Sequence, residues 1–416
     1  MLATLRNSQL LKIDALLLIF FILFPISLIS IKPLGNVLLL AIVIIGLYRI
    51  FKEKINPFKE SELRLFSYLM IGYFLIMLFS IILSVGIGEE LKHIARKLHF
   101  LLAPIVAVAF YKKSLDFKNF LIFTKIAIIL NAIYFFLKIH YGEFDVTDQS
   151  TPIGHEGMLN SNVYGDLIVT LTFISISNIF SENKYNFFLS SLTFFCGMYL
   201  LLISYSRGSW LAFAILLIVF FIYNYKLILE YTDARKKAGL ILLVMFSFTA
   251  YKIADFNSVV QRTVANIESS SNDNKLHNSS NSRILMWQAS LLALKDAPWH
   301  GFGYRLANKE VAKYATSKSK SFSKFTHLHN EYLTHLLSAG VFGLIYLLIV
   351  LILPVYFSLK FKRKNDKNPI PLSIVILSTS YASFGLTHMA FGEENLNALY
   401  IFLISFLLPK VFVKKS

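Results

Sequence analysis

Long apolar runs recur through this 416-residue chain, and no other feature limits its fold so tightly. A helix that crosses a bilayer needs about 20 mainly apolar residues. Twelve candidate spans have cores near 15–31, 34–50, 65–86, 98–111, 119–138, 163–180, 187–205, 209–225, 238–254, 331–358, 370–388 and 397–412. The seventh and eighth are separated only by Ser206-Arg207-Gly208-Ser209. One unbroken helix there would be close to twice the length a bilayer needs, so the pattern predicts two helices joined by a tight turn.

Composition agrees. Hydrophobic residues make up 56% of the chain and charged residues 16%, against about 25% charged in soluble domains. That excludes an ordinary soluble protein, and the high hydrophobicity excludes a disordered one. A single cysteine, Cys196, sits in an apolar run and excludes a disulfide scaffold. The formal net charge is +17. No nucleic-acid-binding motif accompanies it, so nucleic acid is not an expected partner.

The Lys and Arg residues collect in short segments at 51–64, 112–118, 226–237, 359–367 and the C-terminal tail. With twelve spans these segments all fall on one side, which the positive-inside rule makes cytoplasmic, together with both termini. The short segment 87–97 breaks the rule, because it puts Lys92, Arg96 and Lys97 on the outer side. The expected organisation is helices 1–9 in residues 1–254, an outer loop at 255–330, and helices 10–12 in 331–416. The outer loop opens Ser/Asn-rich at 269–282. It continues as an amphipathic helix, Arg283–Lys295, with Ile284, Trp287, Leu291 and Leu294 on one face, and ends at Pro298, Gly301 and Gly303. It also carries ten Lys and Arg residues against five acids. Long loops translocate largely regardless of charge, so the basic excess reads either as a solvated or lipid-facing surface or as a site for a phosphate-bearing substrate.

Three residues on the outer side are candidates for chemistry. Arg207 lies between two apolar runs, where a guanidinium is costly unless it snorkels or faces a polar cavity. Arg283 opens the amphipathic helix and offers a second guanidinium to the same anion. His329 precedes the tenth span, where the positive end of a helix favours a neutral imidazole, the form that acts as a general base. His327 is either a decoy or an orienting partner. Asn330, Tyr332 and Arg305 complete the candidate substrate-binding set. Glu393-Glu394 either pairs a cationic site residue or solvates a turn, the turn being favoured, and His155, Asn160 and Asn162 read as the lining of an outer pocket. HExxH, CxxC, Walker and GxGxxG patterns are absent from the sequence, so no metal or cofactor is expected.

Ser206-Arg207-Gly208-Ser209-Trp210-Leu211-Ala212 resembles the SRG-x-W-L-A segment of bacterial O-antigen ligases and their polymerase relatives. His329-Asn330-x-x-Leu333, followed by Gly340, resembles the H-N-x-x-L-x6-G motif of that superfamily. Ser282-Arg283, followed by Trp299-x-Gly301-x-Gly303-Tyr304, resembles the arginine-led helix and glycine turn of its large loop. The close motifs lie in 205–345; the N-terminal half matches in hydropathy pattern alone. The resemblance implies an all-α integral membrane glycosyltransferase of GT-C type with about twelve transmembrane helices. It implies one large periplasmic loop in the bacterial inner membrane and an inverting, metal-independent reaction. The implied donor is an undecaprenyl-pyrophosphate-linked O-antigen, and the implied acceptor is a sugar hydroxyl of lipid A–core. His329 would be the general base, with Arg207 and Arg283 on the pyrophosphate. The same motifs serve polymerases and protein O-oligosaccharyltransferases. A lipid-linked-glycan transporter is the alternative of another class, disfavoured because no internal repeat is evident and the candidate residues gather on one side.

Overall fold

A computed structural model describes residues 2–31, 33–83, 87–141, 159–180, 184–230, 279–304, 306–315, 328–360 and 368–412. Among the described residues the chain is entirely helical. Helices are the expected solution, since backbone groups in hydrocarbon must be satisfied within their own segment. The helices are α1 (Leu2–Ser30), α2 (Leu34–Lys52), α3 (Ser61–Leu83), α4 (Ile87–Phe110), α5 (Phe117–His140), α6 (Ser161–Ser175), α7 (Lys184–Ile203) and α8 (Arg207–Glu230). They continue with α9 (Ser279–Ala293), α10 (Leu306–Lys313), α11 (Glu331–Lys360), α12 (Pro369–Phe384) and α13 (Glu394–Phe412). Eight of them are long and apolar enough to cross a membrane, so the chain is an integral membrane protein. The expected ninth span, 238–254, lies outside the described residues.

The helices α7 and α8 are separate, as the short polar break predicts. Tyr205 between them takes φ 51°, a left-handed turn, and both helices pack on α6. The core is built around α13, which is buried along nearly its whole length and packs against α2, α3, α4, α6 and α12. Its Phe402 and Phe406 meet Phe21, Phe24, Phe110 and Phe120 in a cluster of aromatic rings.

Two expectations change. Residues 87–97 are not an outer loop: they are the first turns of α4. Lys97 is buried there, donating to Phe391 O at 2.8 Å. It acts as an interior hydrogen-bond donor rather than a charge that sets orientation, which removes its weight from the rule it seemed to break. The amphipathic helix is also rotated. α9 buries Met286, Ala289, Ser290 and Ala293, whereas Ile284 and Leu291 of the expected face are exposed; its Trp287 is half-buried and Leu294 packs on the buried side. The buried stripe follows helical spacing, but it uses the smaller side chains. These allow α9 to lie close to Ala307 and Val311 of α10 and to Leu328 and Leu337 in a small core of its own.

α11 is broken at Gly340, which takes φ 66° and ψ −161°. The break frees carbonyls one turn earlier, and the 299–303 loop uses them. Phe302 N donates to Leu337 O at 2.7 Å and Gly303 N to Ser338 O at 3.0 Å, while Val341 N reaches back to Trp299 O at 3.3 Å. A side chain at 340 would collide with the backbone of Trp299 and His300. Glycine is therefore required twice, for the positive φ and for the close approach.

Candidate functional site

The site is assembled at one end of the bundle from four pieces. The first is the start of α8. Arg207 is exposed at its first position. Behind it, Ser209 Oγ donates to Asp166 Oδ1 of α6 at 2.6 Å. Ser206 Oγ lies 2.7 Å from Ser209 Oγ and donates to Asn162 Oδ1 at 3.1 Å. This hydroxyl string fixes the entry of α8 against α6.

The second piece is α9. Arg283 NH1 donates to Thr387 O at 3.3 Å. One helical turn further on, Trp287 Nε1 donates to Leu328 O at 3.0 Å. Residues four apart share a helix face, so a single face of α9 grips both remaining pieces.

The third piece is 328–330. His329 takes φ 49°, a conformation uncommon outside glycine and asparagine, between buried Leu328 and the helix cap. Asn330 Oδ1 accepts from Leu333 N at 2.9 Å, which caps α11. The Asn330 side-chain amide donates to Leu386 O at 3.3 Å, and Glu331 N donates to Gly385 O at 2.8 Å. These bonds tie His329 to the fourth piece, residues 385–393 after α12. There Thr387 lies so close to Gly208 that a Cβ at 208 would strike its hydroxyl. His388 Nδ1 lies 3.6 Å from Asp166 Oδ2, and its Nε2 lies 4.0 Å from Glu393 Oε1.

Arg283 thus bonds Thr387, and Gly208, next to Arg207, approaches the same residue. Burial, and after it the Arg207 charge, lower the pKa of Arg283. Two guanidiniums held where they repel one another form a site suited to an anion, since each fork matches two phosphate oxygens.

Residues 192–348 match the O-antigen ligase family, a stretch that holds Arg207, Arg283, His329 and Gly340. The match supports the O-antigen ligase superfamily for that segment of the chain. A protein of Haemophilus influenzae (strain Rd), described only as uncharacterized, is 28% identical over 136 residues. That is 31% of this chain and 33% of the relative, so the chain covers about a third of the length of the protein it matches.

At this end of the bundle the segments that carry Arg207, Arg283, His329 and Asn330 come together. Tyr332 points elsewhere: its hydroxyl donates to Ala382 O at 2.7 Å and joins α11 to α12. His327, Arg305 and His155 lie outside the described residues. Asn160 caps α6. Glu393 does more than solvate a turn, because it faces His388. Among the described residues no group of three or more His, Cys, Asp or Glu side chains is placed to hold a metal ion.

Sequence reasoning missed the fourth piece. A carboxylate inside an apolar span, such as Asp166, is a functional candidate by default, and that signal was legible. His388 carried none, because its role comes from the fold.

Below this end lies a second buried polar cluster. Glu331 Oε2 accepts from Phe391 N at 2.9 Å, and Lys97 donates to Phe391 O, so α11 and α4 grip the 3-10 turn Ala390–Gly392 from two sides. His335 Nδ1 lies 3.2 Å from Glu331 Oε1, and its Nε2 lies 2.7 Å from the Tyr73 hydroxyl. This cluster holds the segment that carries Thr387, His388 and Glu393.

Proposed function

We propose that this chain is an O-antigen ligase. It transfers a glycan from undecaprenyl pyrophosphate to a sugar hydroxyl of lipid A–core in lipopolysaccharide biosynthesis. The observation that carries this reading is that Arg283 and the Arg207-Gly208 turn both meet Thr387, with the His329 segment tied to the same stretch, 385–393. The superfamily motifs support it. The accompanying architecture is GT-C-type, with about twelve spans in the bacterial inner membrane. Both termini are cytoplasmic and the site is periplasmic.

In the proposed reaction the acceptor oxygen attacks the anomeric carbon of the donor sugar. His329 takes the hydroxyl proton as attack proceeds, a role worth about 10²–10⁴-fold for a positioned base. The bond to the pyrophosphate oxygen breaks with inversion. Negative charge gathers on the leaving phosphate, where Arg207 and Arg283 are preorganised to receive it. The reaction as proposed needs no metal. Chelator-washed enzyme retains its turnover, and activity that chelation removes and a divalent ion restores rejects that part of the mechanism.

The test is a lipopolysaccharide gel, run beside an assay of lipid-linked polymer. The host lacks this gene and carries wild type or His329→Ala. The expected result for the variant is loss of long chains on the core with polymer still accumulating on the lipid carrier. If polymer is not made and single repeats still reach the core, the chain is a polymerase. An unchanged gel removes His329 as the base.

A further inference from the structure

We propose that His388, oriented by Asp166, is a second proton-handling residue of this site: it hydrogen-bonds the departing phosphate and gives it a proton. This inference rests on the proposed glycosyl transfer and extends it to the leaving-group side.

Three observations carry it. The first is position. Thr387 is the residue that both arginine-bearing segments touch, through the Arg283 bond to its carbonyl and the close approach of Gly208. His388 is next in sequence. An anion held by the two guanidiniums is thus placed at the segment that carries this imidazole.

The second is Asp166. It is 2% exposed, and one oxygen is fixed by the Ser209 hydroxyl. Its other oxygen has no hydrogen bond among the described residues and faces His388 Nδ1 at 3.6 Å. A buried carboxylate needs compensation, and a small movement of the ring supplies it with an N–H. A carboxylate behind an imidazole is the arrangement that fixes which ring nitrogen faces the reactant.

The third is the outer side of the ring. Nε2 points toward Glu393, whose side chain is 39% exposed. Glu393 therefore stands on the water side, where a phosphate oxygen can take its place next to Nε2. With N–H on both nitrogens, the positive ring is balanced by Asp166 behind and by the phosphate in front.

The step balances. The acceptor oxygen forms its bond to the anomeric carbon, and the carbon–oxygen bond to the pyrophosphate breaks with its electron pair on the oxygen. The Nε2 proton of His388 follows that electron pair, while the acceptor proton goes to His329. One proton is delivered and one is taken up, and exchange with water resets both rings.

The experiment uses the full chain in lipid nanodiscs, with two readouts. The first is binding of inorganic pyrophosphate, read as the shift of the thermal unfolding midpoint, which needs no turnover. The second is transfer from lipid-linked glycan to lipid A–core. His388→Gln is expected to bind pyrophosphate about tenfold more weakly, the size of one hydrogen bond to a charged group. Its kcat is expected to fall about a hundredfold with the acceptor KM unchanged. Asp166→Asn is expected to lose a similar factor in kcat, and the double variant no more than either single one, because the two act as a unit. Free imidazole is expected to restore turnover to His388→Ala. Should Asp166→Asn not fold, Ser209→Ala loosens the same carboxylate and is read instead.

Pyrophosphate affinity of His388→Gln within about twofold of wild type overturns the proposal. So do additive losses, absent imidazole rescue, or no pyrophosphate binding by wild type. If wild type binds pyrophosphate and His388→Gln does so more weakly, yet no glycan reaches lipid A–core, the ligase reading fails and the histidine contact to the diphosphate stands. If His388→Gln transfers glycan normally, the ligase reading stands and the proton donor falls.

Discussion

At the basic end of the bundle the Arg49 guanidinium is enclosed. Its NH1 donates to the carbonyls of Val108, Ala109 and Tyr111 at 2.5–3.0 Å, and Nε and NH2 lie 3.0 and 2.9 Å from Glu53 Oε2. At the opposite end Arg283 donates to Thr387 O and faces a second guanidinium. Arg49 is buried and Arg283 half-buried, and the first has every direction filled by acceptors from its own chain and closes the C-terminus of α4. The second sits where like charges oppose it. A cation saturated by its own fold is holding structure; a cation set against another cation is prepared for a ligand. Lys125 repeats the enclosed pattern, with Asn178 Oδ1, Asn186 Oδ1 and Ser190 Oγ at 3.0, 2.6 and 2.7 Å around its ammonium.

This contrast makes predictions. The largest effect belongs to the two arginines at the site: Arg283→Lys loses about a hundredfold or more in kcat, because an ammonium cannot make the two-pronged phosphate contact. Its unfolding midpoint stays near that of wild type. Near-normal turnover there erases the distinction. Next, Lys97→Met removes the charged donor to Phe391 O and the cation near Glu331, and costs about 3 kcal/mol of stability. Unfolding of the double variant Lys97→Met/Glu331→Gln shows whether stability partly returns. Third, Arg49→Lys costs about 2–3 kcal/mol, since one ammonium cannot serve three carbonyls and a carboxylate. Turnover per folded molecule is unchanged, and a selective loss of turnover moves Arg49 into the functional class. The smallest effect is at the exposed Glu310–Lys313 pair of α10, where Glu310→Gln shifts stability by about 0.5 kcal/mol or less.

Much of this was legible in the sequence, and for physical reasons. Span positions follow from composition, because hydrocarbon imposes apolar residues whatever the tertiary fold. Arg207 stands out because a guanidinium between apolar runs is costly, and Arg283 and His329 because they open helices on the same side and fall in motifs that resemble the superfamily's. The failures share one cause. Lys97 was counted as a surface charge, because a loop rule cannot see that α4 begins ten residues earlier. The α9 face was assigned to its largest apolar residues, whereas close packing selected Met286, Ala289 and Ala293. His388 meets Asp166 across 222 positions of chain, and no local pattern encodes that encounter.

The broken helix at Gly340 bears on how pieces of this protein can be exchanged. The loop 299–303 completes hydrogen bonds that α11 leaves open at Leu337 and Ser338. Leu328 and Leu337 belong to the same small core as α9 and α10. A graft between relatives that stopped at the start of α11 would separate donors from acceptors and cut this core in two. A transplant that retains its own wiring has to run from α9 through Val341, so the first turns of the helix travel with the segment before them as one inheritable part.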